Sequence, residues 1–134
     1  MKKINYALVS RALIALLFVV AGYQKLKDFS GATEGIRQIG LPFAPLVTLI
    51  VIIIEIPIAL AFAYGYKTRQ AGYALIAFTA LTILLVHNNL SNPMNIMMIL
   101  KNLAIIGGIM AAISCACGDC TVHSKKSAHH EPQV

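Results

Sequence analysis

The chain has 134 residues, of which 58% are hydrophobic and only 12% charged, about half the charged share of a soluble domain. Its formal net charge of +6 would suit a nucleic-acid partner in a soluble protein, but here the basic residues flank apolar runs, which points to a lipid bilayer and no nucleic acid. The length accommodates one integral membrane domain and no second globular unit.

The first apolar run covers about residues 4–23, behind Lys2 and Lys3. A basic start, an apolar core and Val19-Val20-Ala21 also describe a cleavable leader. The run is longer than an ordinary leader core and is interrupted by Arg11, so a retained transmembrane helix is the better reading. Arg11 follows Lys3 by eight residues, ~12 Å along a helix, deep enough to require snorkelling or a partner. Residues 24–43 break the pattern with mixed charges and Gly31, Gly35, Gly40 and Pro42. Ser30 is a candidate cap for a short helix over residues 31–39, with Ile36, Ile39 and Leu41 against the membrane surface.

The second run, residues 44–65, is the most apolar stretch, with a single carboxylate, Glu55, near its centre. A helix of that length spans about 33 Å, enough to cross a hydrocarbon core of ~30 Å. Pro45 suits the first turn of that helix, whereas Pro57 lies inside it and frees the carbonyl of Ile53 beside Glu55. Thr68 caps a third helix over residues 69–87. Asn92-Pro93 opens a fourth over residues 93–114, which carries Lys101 and the pairs Gly107/Ala111 and Gly108/Ala112, spacings that let helix backbones approach closely. All five tyrosines fall at predicted helix ends, the place of interfacial aromatics. The expected fold is therefore an all-α, four-helix transmembrane bundle over residues 1–114 followed by a polar tail, 115–134. Outside the spans, six Lys/Arg lie on the side of the termini and three on the other, which predicts cytoplasmic termini.

Counted in helical rise from the inner face, Arg11, Glu55 and Lys101 fall at neighbouring depths, with the carboxylate between two cations. A buried cluster of Arg11, Glu55 and Lys101 is the expectation, either as a device that fixes helix packing or as the wall of a polar cavity for a headgroup, a quinone carbonyl or a proton.

The tail holds every cysteine of the chain. Cys115, Cys117 and Cys120 fall within six residues, and His123 follows. Cys117-Gly-Asp-Cys120 is a C-x-x-C, so these four residues form a candidate Cys3His metal set, a redox pair, or a juxtamembrane turn with reduced thiols. Soft thiolates would favour zinc, Cu(I) or an iron–sulfur centre.

Several features in order along the chain resemble the DoxX family of small four-helix membrane proteins. They are Arg11, Phe18-Val-Val-Ala-Gly22 with Tyr23-Gln-Lys25-Leu26 and Phe29, Gly40-Leu-Pro42, Glu55, Gly65 with Thr68-Arg69, and Lys101-Asn102. The resemblance covers about residues 4–112 and implies a multi-pass protein of the bacterial inner membrane. On that pattern the polar positions that carry over are Arg11, Lys25, Glu55, Arg69, Lys101 and Asn102. Relatives of this kind include a small subunit of thiosulfate:quinone oxidoreductase, which implies an accessory, quinone-linked subunit working with other membrane redox proteins rather than a self-sufficient enzyme. A metal-handling protein using the tail and a structural scaffold are the alternatives. There is no glycine-rich nucleotide loop or hydrolase motif.

Overall fold

The computed structural model describes residues 6–86 and 90–116. Among them it contains helices and no strand: α1 (Tyr6–Lys27), α2 (Phe29–Gln38), α3 (Ala44–Ile53), one turn of π-helix (Ile54–Ile58), α4 (Ala59–Tyr64), α5 (Thr68–Val86) and α6 (Pro93–Ala116). α3, the π-turn and α4 run on as one span, Ala44–Tyr64, so that four helices are long and apolar enough to cross a membrane. Their exposed residues include Leu13, Leu46, Leu84 and Met97, which is the outside expected of a bundle whose solvent is hydrocarbon.

The π-turn is the local response to Pro57. A proline has no N–H to return to the carbonyl one turn earlier, and the span absorbs the defect by widening a turn rather than breaking. Glu55 lies within this turn and is buried, whereas Pro57 points outward. α1 also departs from expectation: it continues through Tyr23-Gln-Lys25 to Lys27, past the end of the apolar run. Asp28 rather than Ser30 caps α2, accepting a hydrogen bond from the Gly31 N–H at 3.0 Å. α2 is then tied to the second span through buried hydroxyls. Thr48 donates to the Ala44 carbonyl at 2.8 Å, so the 3.1 Å contact between Thr33 and Thr48 has Thr33 as its donor.

The bundle is tight at one end and open at the other. Phe62, Leu75 and Ile109 are fully buried, with Ala59, Ala71, Ala112 and Ile113 packed around them. At Gly72 a Cβ would lie 2.6 Å from Ile113 Cδ1, so any larger residue would force the Ile113 side chain to shift where α5 approaches α6. Gly108 faces Ile14 of α1 and Ala112 is buried, while Gly107 and Ala111 face outward. Of the two small-residue pairs in α6, only the second packs inside the bundle. The other end of the bundle, beneath α2, is hollow.

Candidate functional site

The hollow end encloses a cavity of about 360 Å³ between α1, the second span, α5 and α6, within the range of small-molecule sites. Ile36, Ile39 and Leu41 of α2 and the following loop line its end. Ile36 and Leu41 are half-buried there, while Ile39 keeps 36% of its surface exposed. Most of the wall is apolar, and the polar exceptions are Lys25, Glu55, Thr79, Thr82, Lys101 and Asn102.

Glu55 is paired with Lys25. The ammonium Nζ donates to Oε1 at 2.8 Å and to Oε2 at 2.9 Å, and the carboxylate side chain is 5% exposed against 33% for the lysine. Antiparallel geometry explains the pairing. Gly22 of α1 packs directly on the π-turn, since a Cβ there would lie 2.6 Å from Ile56 Cγ1 and 3.0 Å from Glu55 Cβ. Lys25 is three residues further along α1 than Gly22, ~4.5 Å in axial rise. Helical side chains lean toward their own N-termini, and in antiparallel helices that brings Lys25 and Glu55 toward each other.

The expected cluster of Glu55 with Arg11 and Lys101 is therefore not what forms. Arg11 precedes Gly22 by eleven residues and Tyr66 follows Glu55 by eleven, so the same register carries Arg11 to the far end of the span. There its Nη1 lies 3.5 Å from Thr68 Oγ1 and 3.1 Å from where a Cβ on Gly65 would stand. Lys101 is exposed and borders the same cavity as Glu55, without forming an ion pair with it. Because it follows the apolar run, Lys25 reads from the sequence as a cation outside the membrane. The signal that could have found it is its three-residue offset from a glycine in an unbroken helix.

Asn102 completes the site. It is 8% exposed, borders the cavity, and its carboxamide makes no hydrogen bond with any described residue. An unpartnered carboxamide at an apolar wall offers both a donor and an acceptor to whatever enters. Thr79 and Thr82 donate to the carbonyls of Leu75 and Phe78, so their hydroxyls face the cavity with acceptor capacity only. Arg69, another of the family-pattern positions, is exposed at the start of α5.

Of the tail set, Cys117, Cys120 and His123 lie outside the described residues. Cys115 lies in the last turn of α6 and is disulfide-bonded. Among the described residues no group of three His, Cys, Asp or Glu side chains is placed to hold a metal ion.

The DoxX family model matches residues 6–88. The chain is 35% identical over 103 residues to the inner membrane protein YqjF of Escherichia coli K12, covering 77% of this chain and 78% of that one. It is 26% identical over 81 residues to the inner membrane protein YphA of the same organism, covering 60% and 58%. No solved structure matches. The matched region contains Gly22, Lys25, Glu55 and Thr68, the residues that set the register of the bundle. This chain is an integral membrane protein and belongs to the DoxX family.

Proposed function

We propose that the cavity binds the headgroup of a quinone, and that the protein serves as an accessory subunit of a redox system in a bacterial inner membrane. The observation that carries this reading is the Asn102 carboxamide, without a hydrogen-bond partner among the described residues, on a mostly apolar wall that also holds the Lys25–Glu55 pair. A quinone matches that wall chemically. Its ring and isoprenoid tail suit apolar side chains, and its two carbonyls accept hydrogen bonds from Asn102, Lys101 or the ammonium of Lys25. The two lysines and one carboxylate also leave the cavity one positive charge in excess, which favours a ligand that gathers negative charge when reduced. In an accessory role, a partner subunit would supply the electron carrier.

The test is the quinone content of protein purified from native membranes in mild detergent. The wild type is expected to retain quinone near one per chain, and Asn102→Leu and Glu55→Gln to lose most of it while keeping their helicity. Equal retention in both folded variants would remove the quinone site. Loss of a co-purifying partner without loss of quinone would instead move the function to the outer surface.

A further inference from the structure

We infer that Arg11, Lys67 and Arg69 form a binding site for the phosphate of an anionic phospholipid headgroup, at the end of the bundle opposite α2. Charge bookkeeping starts the argument. The described residues include three carboxylates, and each is engaged: Asp28 caps α2, Glu34 pairs with Arg37 at 2.7 Å, and Glu55 pairs with Lys25. Among the described residues no carboxylate is within ion-pair reach of Arg11, although it is half-buried and its Nε is enclosed without a hydrogen-bond partner there. A guanidinium in that position needs a counter-ion.

The surroundings supply the rest of an anion site. The Arg11 guanidinium packs beneath the turn that joins the second span to α5, where Gly65 adopts φ +84° and Lys67 φ +45°. The turn closes the preceding helix through Tyr66 N–H to the Ala61 carbonyl at 2.9 Å, the Schellman arrangement that leaves the following backbone free to start a new helix. Thr68, in contact with Arg11 Nη1, is the first residue of the 19-residue α5. The unpaired N–H groups of the first turn of that helix add to the positive potential. Lys67 and Arg69 flank Thr68 and are exposed.

The tyrosines fix the depth. Tyr6, Tyr64, Tyr66 and Tyr73 are all more than half exposed and all lie at this end, where aromatic rings mark the lipid–water interface. The three cations are thus level with headgroup phosphates. A planar guanidinium suits a phosphate oxygen pair, and the exposed Lys67 and Arg69 select a headgroup with net negative charge over a zwitterion. This site is separate from the cavity and does not depend on what the cavity holds.

The experiment is native mass spectrometry of the full chain offered equal phosphatidylglycerol and phosphatidylcholine. The wild type is expected to retain phosphatidylglycerol in preference. Arg11→Gln is expected to weaken that retention about 5-fold and Lys67→Gln/Arg69→Gln about 30-fold, at ~1 kcal/mol for each basic residue near a lipid headgroup. The double variant alters only exposed side chains, so it gives a readout even where Arg11→Gln does not fold. Equal retention of the two lipids by the wild type, or unchanged phosphatidylglycerol retention in the double variant, would overturn the site. Displacement of bound lipid by millimolar inorganic phosphate would overturn its assignment to a lipid.

Discussion

Replacing Lys25 by methionine tests the ion pair at the centre of the bundle. The substitution keeps the length and apolar stem of the side chain but leaves Glu55, 4% exposed, without its partner. Removing one member of a buried pair costs roughly 3–5 kcal/mol. Because a third of the Lys25 side chain is exposed, the lower end, ~3 kcal/mol, is expected. Lys25→Met/Glu55→Met removes both charges and is expected to recover stability to within ~1 kcal/mol of the wild type. The double-mutant cycle should thus show a coupling of about 2 kcal/mol or more. It is measured by reversible unfolding in mixed micelles, with helicity as the signal. A Lys25→Met protein as stable as the wild type would refute the pairing. So would a larger coupling of Glu55 to Arg11 or to Lys101 than to Lys25.

The glycines discriminate inner from outer faces. Gly72→Leu drives a side chain into Ile113 and Phe62 and should cost more than ~2 kcal/mol as an overpacked core does, whereas Gly107→Leu meets open space and should leave thermal unfolding of the monomer unchanged. Gly65→Ala puts a Cβ at φ +84° and 3.1 Å from Arg11 Nη1, so a loss of ~1–2 kcal/mol is expected in the same unfolding assay. Quinone retention by Asn102→Leu should fall without any such loss, because its carboxamide has no hydrogen bond to a described residue to break.

The four spans were legible because hydropathy and helix length are local properties of the sequence. Pro57 beside Glu55 likewise announced an irregular turn, although its form, a widened π-turn, depends on how neighbouring helices accommodate it. The partner of Glu55 was not legible from depth. Depth places Arg11 and Lys101 close to Glu55 only if each helix begins at the membrane face, and pairing depends on helix register, which Gly22 sets by packing on Ile56. Continuation of α1 through Lys27 then makes Lys25 a bundle residue despite its place after the apolar run. Asn102 was visible only as a position of the family pattern. Its proposed role at the cavity rests on the absence of a hydrogen-bond partner among the described residues, which no sequence displays.

Photolabelling of native membranes with an azidoquinone, followed by mapping of the labelled peptides, tests the cavity most directly. Label is predicted on residues that line it, such as Leu17, Ala21, Val51 and Ile105, and should be suppressed by excess unlabelled quinone and by Asn102→Leu. Label confined to the outward face of α6 around Gly107 and Ala111, or insensitive to both, would contradict a quinone site inside the bundle.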